Sequence, residues 1–237
     1  MFKQTSELFI LFIIYSFLGW LMEVILTIVK QHKVVNRGFL IGPYCPIYGW
    51  GCLFIIISLD RYKDSLFILF VMSVVICSIL EYVTSYVMEK KFNARWWDYS
   101  NNKFNINGRI CLETMIPFGI LGTIVICVIN PFFVSILNKC PSLILEIVAV
   151  IIFIIFIIDN IISSSIIVSF KNEVSKIEKD RTEEITKKVR EVIMHKGYLH
   201  KRLINAFPSL TTYRDRLVKI RNKINKDIEN FNNLKNK

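Results

Sequence analysis

Several patterns that point to a soluble catalyst are missing from this chain of 237 residues. Neither GxxxxGKS nor GxxxxGKT occurs to cradle nucleotide phosphates, so the chain has no ATPase motif of its own. CxxC and HExxH are also absent, and no nucleophile stands beside a base in a recognisable pattern. We therefore expect no metal, no cofactor and no catalytic residue. The six cysteines lie in or beside apolar stretches without paired spacing, and we expect buried thiols.

Charge is scarce in the first part of the chain. Overall, 53% of the residues are apolar and the mean hydropathy is +0.46. Residues 1–170 hold 12 of the 30 Lys and Arg and 10 of the 19 Asp and Glu, for a net charge of +2, whereas residues 171–237 carry +9. This division excludes an ordinary cytoplasmic enzyme and a secreted domain. It predicts a transmembrane helix bundle over residues 1–170 and a basic cytoplasmic helical tail over residues 171–237.

Five apolar runs approach the roughly 20 residues that cross a bilayer as a helix. They cover residues 6–29, 41–59, 65–88, 111–137 and 142–170. The fold class is therefore an all-α polytopic bundle of about five spans. Pro43, Pro46 and three glycines crowd the start of the second run, so a broken or re-entrant segment is the alternative to a full span there.

The distribution of basic residues predicts the orientation of the chain. With five spans, one side of the membrane receives four basic residues from the short connections and the N-terminus. The opposite side receives eight, before the tail is counted. Because the basic side faces the cytoplasm, we predict a multi-pass protein of the cell membrane with its N-terminus outside and its C-terminus inside.

The tail has its own helical pattern. Apolar residues recur at three- and four-residue steps from Leu217 to Phe231, and Pro208 separates this run from a weaker one upstream. Its net charge of +9 favours contact with anionic membrane lipids. No nucleic-acid-binding motif accompanies the charge, so we expect no nucleic acid as a partner.

Acidic side chains inside the apolar runs are the clearest functional signal. Glu23, Glu81 and Asp159 lie roughly 10, 13 and 18 Å from the cytoplasmic ends of their helices at 1.5 Å per residue. Each costs about 2.5–3.5 kcal/mol at mid-bilayer, so each needs a partner, a proton or water. Small and polar residues precede Glu23 and Glu81 at helical spacing, which turns these two acids toward the bundle interior. They are either structural links between helices or part of a polar cavity that binds a substrate or protons.

The predicted cytoplasmic loops supply the opposite charge. Arg37, Arg95 and Arg109, with Asp98, are candidates to pair with the intramembrane acids or with a substrate. We expect a second group to shape the loops, because these residues are helix breakers and aromatics in segments too apolar for a mobile loop. It contains Asn36, Gly38, Pro43, Pro46, Tyr48, Trp96 and Trp97. For Trp96 and Trp97, an anchor at the membrane interface is the alternative.

These motifs together resemble a known family. The chain reads FLGW at residues 17–20, NRGFLIGPYCPIYGWG at 36–51, LEYVTS at 80–85 and RWWDYS at 95–100, followed by NGRICL at 107–112. In this order they resemble the putative ABC-transporter permease family described as type IV. Phe118-Gly119 departs from the Trp-Gly pair expected there, which affects a packing detail. The resemblance implies a multi-pass membrane protein and a permease role.

Three functions stay open from the sequence. The first is a permease-like transporter component with an acidic cavity open to the cytoplasm. It would need a separate ATPase subunit unless it is driven by protons, and a homo- or hetero-oligomer. The second is a membrane-embedded enzyme acting on a lipid or isoprenoid, with the acids and arginines as acid–base and anion-stabilising groups. The third is a non-catalytic membrane sensor or assembly factor that works through the basic tail.

Overall fold

A computed structural model describes residues 2–32, 34–92, 94–179 and 211–212 of the chain. Its helices are α1 (Phe2–Gln31), α2 (Pro46–Leu59), α3 (Leu66–Phe92), α4 (Leu112–Ile124), α5 (Asn130–Lys139) and α6 (Ser142–Lys179). A 3-10 turn, Asp60–Tyr62, follows α2, and a π-helical turn, Val125–Ile129, joins α4 to α5. The strands are β1 (Ala94–Arg95), β2 (Asn105–Ile106), β3 (Ile110–Cys111) and β4 (Thr211–Thr212).

Four helical stretches within this described part are long and apolar enough to cross a membrane. They are Phe2–Val29, Leu66–Lys91, Leu112–Lys139 and Ser142–Ile166. The third contains α4, the π turn and α5 without interruption, and Pro131 lies just after the π turn, where its missing N–H and its ring favour a widened helix. The apolar runs thus predicted these four helices to within a few residues.

The second predicted span is not a full-length helix. α2 has 14 residues, about 21 Å at 1.5 Å per residue, and begins at Pro46 instead of residue 41. Pro46 fixes the first helical position, and Cys45 before it is extended, as residues before proline usually are. The Cys45 N–H donates to the Ser16 carbonyl, near the middle of α1, at 2.9 Å. The broken alternative is therefore the one observed: residues 34–45, which we call the re-entrant segment, form no helix, and together with α2 they still cross the bundle.

The helices alternate in direction along the bundle. Aromatic pairs Phe9–Phe153 and Phe12–Phe156, with centroids 5.5 and 5.7 Å apart, step together along α1 and α6, so these two helices run parallel. Between them the chain crosses the bundle three times, through the re-entrant segment with α2, through α3, and through α4 with α5. The beginning of α1 and the end of α6 consequently lie at opposite ends of the bundle.

Short strand pairs lie at the end of the bundle where α3 finishes. β2 pairs antiparallel with β3, and β1 pairs antiparallel with β4. The latter contact brings residues 211–212 of the tail to the segment that follows α3. α6 continues past the predicted boundary at residue 170 to Lys179. The predicted tail helices around Pro208 and over 217–231 lie outside the described residues.

Candidate functional site

Two of the predicted acids meet tyrosines in one group, which we call the acid–tyrosine cluster: Glu23, Tyr48, Glu81, Tyr99 and Thr114. The Tyr48 hydroxyl donates to Glu23 Oε1 at 2.6 Å, and the Tyr99 hydroxyl donates to Glu81 Oε1 at 3.2 Å. Thr114 of α4 reaches Glu81 Oε2 at 3.5 Å. Glu23 and Glu81 both act electrostatically on Tyr99, so the two carboxyl groups share one neighbourhood. The cluster joins α1, α2, α3, α4 and the loop after α3.

Tyr48 reaches Glu23 because a glycine on α1 leaves room for its ring. A Cβ on Gly19 would collide with the Tyr48 ring, and the late start of α2 places Tyr48 beside this gap. The Arg37 guanidinium lies on the other side of Glu23, with Nε 3.9 Å from Oε2. Both side chains of this pair are more than a quarter exposed, so the ion pair is loose.

Tyr99 lies in the loop between α3 and α4, outside the membrane-spanning stretches. Burial, followed by the carboxyl groups of Glu81 and Glu23, raises the pKa of Tyr99 well above its ordinary value. The phenol therefore remains a hydrogen-bond donor across the physiological pH range, and its proton points at Glu81.

Asp159, the third predicted acid, holds the re-entrant segment instead of joining the cluster. Its Oδ1 accepts the Ile41 N–H at 2.9 Å, and its Oδ2 accepts the Gly42 N–H at 2.7 Å and the Tyr44 hydroxyl at 2.5 Å. Ser163, one turn along α6, donates to Oδ1 at 2.8 Å. With four donors around a carboxylate that is 8% exposed, Asp159 is a structural anchor.

Asn36 fixes the other end of the same segment. Its Oδ1 accepts the Trp20 indole N–H at 2.8 Å and the Gly38 N–H at 3.1 Å, while its Nδ2 donates to the Ile41 carbonyl at 3.0 Å. One side chain thereby links α1 to the turn that reaches Asp159. The loop-shaping role of Asn36 and Gly38 stays a prediction, which these contacts favour.

Arg95 and Arg109 pair with an acid that the sequence argument passed over. Glu89 Oε2 lies 3.0 Å from Arg95 Nη2 and 2.9 Å from Arg109 Nη2, and all three side chains are nearly buried. Arg109 also donates to Ser85 at 3.2 Å and lies over the Tyr86 ring. Neither arginine pairs with Glu23, Glu81 or Asp159. Of the predicted arginines, the structure therefore pairs Arg37 with a predicted acid, Glu23, and joins Arg95 and Arg109 to Glu89 instead.

Asp98 adds a second negative charge beside Arg95 and Arg109, which share the single carboxylate of Glu89. Its Oδ1 lies 3.2 Å from Arg95 Nη1 and accepts the Ser100 hydroxyl and N–H at 2.5 and 3.1 Å. Partial burial raises the pKa of Asp98, but the Ser100 hydrogen bonds and the Arg95 guanidinium lower it by more. The pKa therefore lies below its ordinary value, and the carboxylate stays ionised.

The aromatic pair after α3 packs inward. Trp96 is 2% exposed and contacts Phe39, with ring centroids 5.7 Å apart, and Ile166 of α6. The Trp97 indole donates to the Arg109 carbonyl at 3.1 Å. An interfacial anchor would be open to lipid headgroups, whereas these rings join the loops to the helices. They support the site as structural residues.

A groove of about 650 Å³ runs along the outside of α2 and α3. Its walls are apolar, and they include Ile47, Trp50 and Phe54 of α2 and Leu80 and Val83 of α3. Tyr48 and Glu81 follow Ile47 and Leu80 in sequence but point into the bundle, where their hydroxyl and carboxyl groups are bonded. The groove thus lies on the outer, apolar side of α2 and α3, beside the acid–tyrosine cluster.

Glu89 and Tyr99 are the residues that sequence reasoning missed. Glu89 precedes Lys90 and Lys91, so in the sequence it looks like an ordinary charged residue at the polar end of a helix. It nevertheless continues the four-residue steps Cys77, Glu81 and Ser85. That periodicity was the available signal. Tyr99 carried none, because its approach to Glu81 depends on how the loop folds. Over the described ranges, no three His, Cys, Asp or Glu side chains are placed to hold a metal ion.

The fold and these polar contacts define a multi-pass α-helical membrane protein. The family described as putative ABC-transporter type IV matches residues 10–164, well over half of the chain. The protein belongs to that family, and its four long apolar helices agree with a component of a membrane transporter. None of the curated proteins or solved structures compared with the chain matches it.

Proposed function

We propose that this protein is the membrane-embedded part of a transporter and that the acid–tyrosine cluster binds its cationic ligand, a proton or a positively charged substrate. The observation that carries this proposal is the convergence of Glu23 and Glu81 on Tyr48 and Tyr99 in the bundle interior. Two acids from two helices share this site, and the Arg37 Nε lies 3.9 Å from Glu23 Oε2.

The charge balance of the cluster favours an ionisable site over a simple link between helices. Glu81 is 6% exposed, and within the described ranges its hydrogen bonds come from neutral hydroxyl groups. A carboxylate in such surroundings is costly at membrane depth unless a proton or another cation joins it. Asp159 has four donors and needs no further partner, which leaves Glu23 and Glu81 as the functional pair.

The membrane setting follows from the charge of the loops. We place the N-terminus outside and the C-terminus in the cytoplasm, so that the cluster opens toward the cytoplasmic end of the bundle. Because the sequence contains no ATPase motif, an ABC-type mechanism would use a separate ATPase subunit, in a homo- or hetero-oligomer. Membrane lipids cover the apolar helix faces and the basic tail. The lipid-acting enzyme and the sensor remain alternatives without a specific contact in their favour.

Glu23→Gln and Glu81→Gln test this proposal. Glutamine keeps the shape and much of the hydrogen bonding of glutamate but cannot ionise. We expect both variants to melt like the parent. In a strain from which the gene for this protein has been deleted, we expect neither variant to restore activity in a growth or uptake assay. Glu146→Gln, at a half-buried position on α6, is the matched control and should retain activity. Normal melting together with normal activity of both cluster variants would overturn the proposal.

A further inference from the structure

The apolar groove on the outside of α2 and α3 lies within the part of the chain that is suited to cross the membrane. Its wall on α3 steps by four residues through Ile76, Leu80 and Thr84, in the middle part of the stretch Leu66–Lys91. Most of the residues that line the groove are aliphatic or aromatic. A volume of about 650 Å³ with such walls is typical of a ligand site, here for an apolar ligand or the apolar part of a larger one.

The wall of the groove on α2 is aromatic. Trp50 is 52% exposed, and its ring stacks on the ring of Phe54 with centroids 5.9 Å apart. The Trp50 ring also contacts Phe12 of α1, with centroids 5.3 Å apart, so it is supported from within the bundle. A ring that is already fixed can bind a chain of methylene groups with little further loss of side-chain freedom.

A lysine lies on the same face of α3, beyond the end of the groove. Val87 follows Thr84 by three residues and Lys91 follows Val87 by four, so both lie on the face that lines the groove. Both side chains are exposed. The neighbouring Lys90 lies on another face, with its Nζ 4.7 Å from the centre of the Tyr86 ring. The groove face therefore leads from apolar residues to a single positive charge near the end of the helix.

The length of this face matches one leaflet of a bilayer. From Ile76 to Lys91 the helix rises roughly 22 Å at 1.5 Å per residue. A bilayer with its headgroups is about 40–45 Å thick, so one leaflet takes about 20–22 Å. A phospholipid with its headgroup beside Lys91 would therefore place an acyl chain at the depth of the groove.

We propose that the groove binds an anionic phospholipid, with an acyl chain between α2 and α3 and the phosphate beside Lys91. We call this the lipid site. The apolar walls bind the acyl chain, and Lys91 selects a negatively charged headgroup. A lysine near the membrane surface favours anionic lipid by about fivefold in affinity, equivalent to about 1 kcal/mol. The lipid site does not involve the acid–tyrosine cluster, so it is tested separately from the proposed function.

Brominated lipids test the lipid site, because bromine on an acyl chain quenches tryptophan fluorescence on contact. The purified full-length chain is placed in phosphatidylcholine nanodiscs with increasing fractions of brominated phosphatidylglycerol, which is anionic, or brominated phosphatidylcholine, which has no net charge. The difference between the parent and Trp50→Phe isolates the Trp50 signal. We expect half-maximal quenching of this signal at an about fivefold lower fraction of the anionic lipid.

Two results would overturn the lipid site in this assay. Equal quenching by the two lipids would mean ordinary contact with the surrounding bilayer. No quenching of Trp50 by either lipid would mean that protein covers the groove, as in a dimer of this chain.

Two pairs of matched variants locate the site. Lys91→Gln should abolish the preference for the anionic lipid, whereas Lys90→Gln should keep it. Val83→Phe, at an exposed position in the groove, should weaken quenching of Trp50 by both lipids. Val71→Phe, at an exposed position on another face of α3, should not. Because both valines are exposed, all variants should melt like the parent, and thermal unfolding checks this. An equal loss of preference in both lysine variants, or unchanged quenching in Val83→Phe, would overturn the inference.

Discussion

Replacing Asp159 by asparagine should release the re-entrant segment from α6. Each carboxylate oxygen accepts two hydrogen bonds, Oδ1 from Ile41 and Ser163 and Oδ2 from Gly42 and Tyr44. An asparagine amide has a single oxygen, so its NH₂ group must face two of the four donors. Hydrogen bonds to charged groups contribute about 1.5–3 kcal/mol in water and polar contacts between membrane helices about 0.6–2 kcal/mol. We therefore expect Asp159→Asn to lower the free energy of unfolding by about 3 kcal/mol.

The assay is thermal unfolding of the detergent-purified chain, followed by loss of the monodisperse species in size-exclusion chromatography. A loss of about 3 kcal/mol corresponds to a decrease in Tm of about 6–12 °C for a chain of this size. Glu146→Gln, on the same helix, removes a charge without touching these donors and should melt like the parent. An Asp159→Asn variant that melts with the control would refute the anchoring role of Asp159.

Two further predictions concern the loops and the orientation. Because the folded-state pKa of Asp98 lies below its ordinary value, its stabilising effect is present above about pH 4 and is lost as the pH falls through the lowered pKa. Asp98→Asn should thus weaken the acid-induced decrease in Tm, whereas Asp60→Asn, at an exposed turn, should not. Single cysteines near Lys63 and Lys139 should react with impermeant reagents from outside and one near Lys91 from inside; the reverse pattern would contradict our orientation.

The long helices could be predicted because a bilayer imposes a length and an apolar composition that local sequence records directly. Helix breaks are recorded locally as well. Pro43 and Pro46 with their neighbouring glycines indicated a break in the second span, and the structure places it before Pro46. Helical rise also predicted how far Glu23 and Glu81 lie from the helix ends, and their stripes predicted that both acids point toward neighbouring segments, where they meet Tyr48 and Tyr99. These features are properties of single segments.

Pairings between segments could not be predicted in the same way. Arg95 and Arg109 carry no local sign that they choose Glu89 over Glu81, because the choice depends on how the loop after α3 folds. Asp159 was predicted to need a partner. Three of its four donors come from the re-entrant segment, and two of these three are backbone N–H groups. Backbone donors leave no trace in a sequence, which is why an anchoring acid and a ligand-binding acid read alike.

An infrared titration most directly tests whether the acid–tyrosine cluster is an ionisable site. The chain, in lipid bilayers, is titrated while the absorbance of protonated carboxyl groups is recorded for the parent, Glu23→Gln, Glu81→Gln and Glu146→Gln. We predict a reversible carboxyl band that follows the bulk pH and decreases in both cluster variants relative to the Glu146 control. A band that ignores the bulk pH, and that is the same in the parent and both cluster variants, would contradict a cytoplasm-accessible site at Glu23 and Glu81.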